Sequence, residues 1–377
     1  MTTYRFDQIA ELITVRVAPG ETALDRYVGL EHLDSETLKI SRWGSPKDVI
    51  GQKHSFWPGD IIFGKRRAYQ RKLAVANFEG ICSAHAMVLR AKPEVVLPEF
   101  LPFFMQSDLF MNRALDISVG SLSPTINWRT LAEQDFPLPP LDEQRRIANL
   151  LWKIEDVIDG TMKVISSLKR LKNSFRREKF SNIDSKVLLK DLCEPKGIQI
   201  GPFGSQLHAS DYVSDGIPVI MPANMTEDLI DQNNISKISK DMADSLSHHK
   251  VLSGDILLPR RGDLDRRAFI RPEQEGWLCG TGSVRIRVKK EISPRAVFQA
   301  IASPATVKWL NNHAIGTTMP NINSTIVSNI PISLPPLNEI ERDVKTLEYI
   351  DISLQVAYEK LAKGIKLKKK YLRLMGE

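Results

Sequence analysis

The phrase Leu138-Pro139-Pro140-Leu141 returns as Leu334-Pro335-Pro336-Leu337, displaced by 334 − 138 = 196 residues. The same displacement carries Gly120 onto Gly316, Pro124 onto Pro320, Ile126 onto Ile322, Asn127 onto Asn323, Glu143 onto Glu339 and Arg146 onto Arg342. From Pro98 to Arg146, 12 of 49 ungapped positions are identical, too long a run in one register for coincidence. Upstream, Gly59-Asp60-Ile61-Ile62 matches Gly254-Asp255-Ile256-Leu257 at a displacement of 195, and Ala86–Arg90 matches Ser283–Arg287 at 197. A chain of 377 residues is long for one domain and comfortable for two. It is read as a tandem duplication, residues 1–183 and 184–377, so one half must fold like the other.

Each half has the same order of parts. Short apolar runs behind a Gly-Asp turn, Ile61-Ile62-Phe63 and Ile256-Leu257-Leu258, suit buried strands. Met87-Val88-Leu89 and Val284–Arg287 read as further strands, and 99–115 and 295–310 as short helices. The double proline then stops the chain, and proline is tolerated only at the start of the helix that follows. From Asp142 to Phe180 apolar residues recur at Ile147, Leu150, Ile154, Val157, Val164, Leu168, Leu171 and Phe175, a heptad seam. Val344, Leu347, Leu354, Tyr358, Leu361, Ile365, Leu372 and Met375 form its counterpart, interrupted by Asp351, Gly364 and Lys368. Helices of this length span about 60 Å. A narrow apolar stripe suits another helix better than a sheet, so the two are expected to cover one another as an antiparallel coiled coil. The fold class is α+β: two tandem mixed units, each followed by a long helix, related by a pseudo-twofold internal repeat.

A net charge of +7 points to a polyanionic partner. No stretch reaches the roughly 18 apolar residues of a membrane span, and the start of the chain lacks a leader pattern, so the expected location is cytoplasmic, with no membrane partner. Cys82, Cys193 and Cys279 are scattered, without a CxxC pair, and read as free buried thiols.

A search for chemistry finds none. Gly59–Lys65 fits GxxxxGK, but Arg66 stands where a magnesium-binding Ser or Thr is needed, and the intervening residues are strand-like. There is no Asp/Asn-Pro-Pro-aromatic motif of an adenine methyltransferase. His248-His249 lacks partners at metal spacing and is placed on a solvated face; His85 and His313 read as ordinary polar or packed residues. No catalytic residue, metal or cofactor is expected. The candidates for binding are basic. Lys65, Arg66, Arg67, Arg71 and Lys72 follow the first Gly-Asp strand; Arg260, Arg261, Arg266 and Arg267 follow the second. Arginine donates paired hydrogen bonds to guanine or phosphate, and recurrence in both halves favours DNA contact over a merely solvated strand end. The run Lys366, Lys368, Lys369, Lys370 and Arg373 reads equally as a solvated face, a phosphate contact or a docking surface.

The phrase GSLSPTINWRTLAEQDFPLPPLDEQRRI, Gly120 to Ile147, resembles the specificity subunits of type I restriction-modification systems. Its Pro-Leu-Pro-Pro-Leu-x-Glu-Gln core, duplicated, carries most of the resemblance, and GDIIFGKRRAY, Gly201–Ser205 and SGDILLPRRGD add to it. Asn338-Glu339-Ile340 departs from the pattern, and the first half lacks the Gly201–Ser205 element. The resemblance implies target-recognition domains at 1–140 and 184–336 and conserved helices at 141–183 and 337–377. It implies a non-catalytic subunit that reads a bipartite duplex, one half-site per domain. Two methyltransferase (modification) subunits would dock on the helices, with restriction/translocase subunits in the full complex. Two alternatives stand beside it: a recognition subunit whose partner fuses methyltransferase and nuclease, and a coiled-coil adaptor with no DNA role.

Overall fold

The computed structural model describes residues 1–181, 187–226, 228–316 and 320–375. The chain divides into two compact units, Met1–Ser166 with Gln355–Glu377, and Ser167–Leu354. Each long helix, Leu141–Phe180 and Leu337–Leu374, is continuous and contributes a segment to both.

In the first unit, strands Ala10–Ile13, Ala86–Ala91, Ile61–Gly64 and Leu73–Val75 form an antiparallel sheet in that order. A second sheet runs Arg16–Val17, Lys53–Phe56, Gly80–Cys82, Tyr27–Val28, the last pair parallel. The second unit repeats the first sheet as Cys193–Ile200, Ser283–Val288, Ile256–Pro259 and Ala268–Phe269. It repeats the parallel pair as Ile217–Ile220 with Leu278–Cys279. Gly59–Lys65 is therefore a turn leading into strand Ile61–Gly64, not a phosphate loop, since Ile61–Gly64 pair with Ala86–Leu89.

Residues identical between the repeats are those that set local structure. Ser107 and Ser303 cap helices Asp108–Asp116 and Pro304–His313, each side chain accepting from a backbone amide three residues on. Asn127 and Asn323 cap the next short helices. The Gly-Asp turn works alike in both. Gly59 and Gly254 adopt φ of 91°, which favours glycine. Asp60 and Asp255, buried, each accept a backbone amide of the turn, from Trp57 and Leu252. Each is also held by a two-pronged arginine from the neighbouring strand, Arg90 or Arg287.

The seam differs from the sequence expectation. Ile154 is buried, with Ile147, Leu361 and Ile365 packed on the same core, and Leu347 and Leu354 are buried. Leu168 is only half-buried, and Leu150, Val157, Val164 and Leu171 lie in solvent. The buried stripe runs instead through Ala148, Leu151, Ile154, Ile158 and Ile165, with Glu155, Thr161, Lys172 and Arg176 among them. Two apolar stripes lie side by side on this helix, and hydrophobic periodicity alone does not say which faces the partner. The charges that do are invisible to it.

Within the first unit the helix segments run antiparallel: Glu155 pairs with Lys368, and Ile158 lies against Gly364. Within the second unit they do so again: Lys172 pairs with Asp351 at 2.5 Å and Lys179 with Glu339 at 3.5 Å. The 196-residue displacement carries Glu155 onto Asp351 and Lys172 onto Lys368, so the two buried pairs are one pattern used twice. All three cysteines are free and buried, and burial pushes each thiol up to about 12. His249 is buried rather than solvated, correcting the surface placement, while His248 stays exposed. Among the described residues no helix is long and apolar enough to cross a membrane.

Candidate nucleic-acid interface

Strand Ile61–Gly64 delivers Lys65, Arg66 and Arg67 to its end, and the loop 118–126 crosses back over it. Ile126 donates its amide to the Lys65 carbonyl at 3.0 Å, Arg66 bridges Thr125, and Arg67 donates to the Pro124 carbonyl at 2.8 Å. The loop closes on itself through reciprocal Val119–Thr125 hydrogen bonds, both 3.0 Å. In the second unit Ile322 donates to the Arg260 carbonyl at 2.8 Å, Arg261 bridges Asn321, and Gly262 donates to the Pro320 carbonyl at 3.1 Å. Reciprocal Ile315–Asn321 bonds of 2.9 and 3.0 Å close that loop. The same backbone knot thus presents arginines in both units.

The side chains have different surroundings. Arg66 Nη1 lies 3.2 Å from His85 Nε2, and burial, then Arg66 itself, lowers the His85 pKa. That shift favours the neutral ring, which can accept from the guanidinium. Arg67 Nε donates to Ser123 Oγ at 3.2 Å. Lys65 is half-buried, and burial lowers its pKa. Arg71 pairs with Asp108 at 2.6 Å, and Lys72 donates to the Leu30 carbonyl at 2.7 Å, which ties both to the scaffold. Arg260 stands 6.0 Å over the exposed Phe203 ring, within cation–π range. Arg261 is exposed. Arg266 pairs with Asp263 at 3.4 Å and reaches the Ala223 carbonyl. Arg267 is withdrawn from the surface, 6% exposed, and lines a cavity of about 490 Å³ with Lys172, Arg176 and Lys308. The structure therefore gathers Arg66 with Arg67, and Arg260 with Arg261, at the two strand ends. In the sequence the crossing loop shows only as repetition, through the retention of Gly120, Pro124 and Ile126 as Gly316, Pro320 and Ile322. No His/Cys/Asp/Glu cluster fit for a metal occurs among the described residues.

The type I restriction modification DNA specificity domain matches residues 45–170 and 186–367, most of the chain and both repeats. The chain belongs to the type I restriction-modification DNA specificity family. The EcoDI specificity subunit of Escherichia coli is 30% identical over 45% of this chain and 38% of its own length. The MjaVIII specificity subunit of Methanocaldococcus jannaschii is 23% identical over 84% of this chain and 75% of its own. The type I S subunit from M. genitalium shares the fold, with a TM-score of 0.61 at 13% identity, covering 99% of this chain and 95% of that one. A chain from a type I restriction-modification assembly aligns at 0.52 and 20% identity, over 98% and 96%. For a specificity subunit the doubled strand-end site is the natural place to look for DNA contact.

Proposed function

We propose that this specificity subunit reads a bipartite double-stranded target, one half-site through the arginines and loop at each strand end, and leaves methylation and cleavage to partner chains. The observation that carries this is the recurrence of one arginine-presenting knot, Arg66–Thr125 and Arg261–Asn321, in two units whose flanking side chains differ. Like backbones with unlike side chains suit two half-sites of different letters. Recognition domains at 1–140 and 184–336, each followed by a conserved-helix segment that contains Leu141–Phe180 or Leu337–Leu374, would suit this division of labour. The exposed stripe Leu150, Val157, Val164 and Leu171, spaced by seven, offers a helical partner an apolar track, and two methyltransferase subunits are its proposed occupants, with restriction/translocase subunits joining the complete assembly.

Arg66→Ala with Arg67→Ala should weaken binding through one half-site, and Arg260→Ala with Arg261→Ala through the other. Phosphate contacts would lower affinity on all sequences and reduce the salt slope by about one per contact. Guanine contacts would cost about 1–3 kcal/mol of discrimination at one base pair. Unchanged affinity and salt slope in both double variants would refute the assignment. Methyl transfer from S-adenosylmethionine by the purified chain alone would refute the non-catalytic role.

A further inference from the structure

Large apolar side chains stand in solvent on the crossing loops. Leu122 is 91% exposed, Val119 76%, and Ile315, which the repeat places opposite Val119, 61%. Scattered exposed aliphatics are common, so exposure by itself decides nothing. Three further observations do. Around this position the copies keep Gly120, Pro124 and Ile126 but differ in most other side chains: in the aligned sequences Ser118 corresponds to Ala314, Leu122 to Thr318 and Thr125 to Asn321, yet a β-branched aliphatic stays at 119 and 315. It has no core to fill. The backbone of the first loop is also closed by its own bridge and tied to the arginine strand by three further contacts, so less backbone freedom is left to lose on binding. Finally, Arg67 has φ of 56°, at the position where the second unit has Gly262 with φ of 83°. A left-handed backbone is disfavoured for arginine, and it is retained where the guanidinium reaches across to Ser123 of this loop.

Resting on the DNA-reading role above, we propose that the exposed aliphatics beside the two arginine-presenting strand ends are apolar readers of base edges. Val119 and Leu122 serve the first half-site and Ile315 the second, beside the arginines that contact phosphate or guanine. The charge beside the loops selects DNA as occupant over an apolar protein surface. The base edges supply what an aliphatic can use, chiefly the thymine methyl group in the major groove.

The test uses the full chain assembled with its methyltransferase subunits, the target duplex mapped from the methylated adenines of that complex, and a random duplex. Val119→Ser, Leu122→Ser and Ile315→Ser should each lower affinity for the target about tenfold, the scale of burying one aliphatic side chain. Affinity for random duplex, the salt slope and the melting temperature should stay as in the parent. An unchanged target-to-random ratio in all three overturns the proposal. So does an equal fall on both duplexes, which would make the loop a backbone contact. A parent complex with no preference for the mapped target would instead defeat the DNA-reading role and the loop with it; sensitivity of the Arg66/Arg67 double variant alone would preserve that role and remove only the loop.

Discussion

The two buried charge pairs of the seam share a pattern and differ in redundancy. In the first unit Glu155 is fully buried against Lys368, and its second oxygen accepts from the Thr37 hydroxyl and the Leu38 amide. Burial lowers the pKa of Lys368, which also donates to the Glu36 carbonyl. In the second unit Lys172 meets two carboxylates, Asp351 and Asp228, and Arg176 joins Asp228 at 3.1 Å and Gln299 at 2.8 Å. One seam half depends on a single carboxylate; the other is a network. A buried lysine with one carboxylate loses its counter-charge when that carboxylate is removed, whereas one with two keeps the other.

The harshest way to break the comparison is to change the spacing of the charges. Both helices set acid and lysine the same distance apart, 172 − 155 = 17 and 368 − 351 = 17 residues. Four residues inserted at Ser166-Ser167 alone shift one half by about 6 Å against the other. One pair must then open, and hydrogen exchange should show one seam half unprotected. A matching insertion at Ala362-Lys363 should restore both pairs and lengthen the spacer between methylated half-sites by about two base pairs, at about 3.4 Å each. An unchanged spacer in the doubly inserted, active complex would show that the helices do not measure it.

The next effect is the loss of one carboxylate. Glu155→Gln leaves Lys368 buried without its counter-charge and should cost about 3–5 kcal/mol in denaturant unfolding. Asp351→Asn leaves Lys172 with Asp228 and should cost about 1 kcal/mol. Equal costs would erase the distinction between pair and network.

These buried charges also mark the limit of what the sequence made legible. The repeat, the strands behind Gly-Asp, the capping Ser and Asn residues and both long helices follow from local chemistry and were readable. The seam face was not, because Leu150 and Val157 satisfy a heptad as well as Leu151 and Ile158 do, and buried Glu155, Lys172 and Arg176 look like solvated residues until their partners are known. At the strand ends the arginines were found by charge. Which ones are committed elsewhere, as Arg71 is to Asp108 and Lys72 to Leu30, depends on residues far away in sequence.

A smaller contrast lies in acid. The repeat places His54 opposite His249, at a displacement of 195, and burial lowers both pKa values, that of His249 from 6.5 to about 4. The unfolded chain takes up the His249 proton near pH 6.5 and the folded chain only near 4. Stability from this group is therefore present above pH 6.5 and is lost as pH falls toward 4. Hydrogen exchange should show the second unit loosening through that window, and His249→Leu should flatten the slope. A second unit as acid-resistant in the parent as in the variant would contradict this.

The smallest effect separates two glycines. Nothing lies within 4 Å of a Cβ built on Gly160, whereas one on Gly364 would meet Ile158 at 3.2 Å. Gly160→Ala should raise stability by about 0.5–1 kcal/mol, the helix-propensity difference. Gly364→Ala should gain less, because Ile158 must shift; equal melting temperatures for the two would show that the seam yields freely there.

A helix bearing an acid and, 17 residues later, a lysine is complementary to its own reversed copy. Duplicating the coding segment once therefore supplies a fitting partner with no new substitution. It also restricts later exchange of recognition segments between relatives: a transplanted segment must bring to the seam a group equivalent to Thr37 with its neighbouring amide, or to the carboxylate of Asp228. Inherited compatibility resides in those few interior atoms, while the side chains at the strand ends, the proposed readers, are free to change.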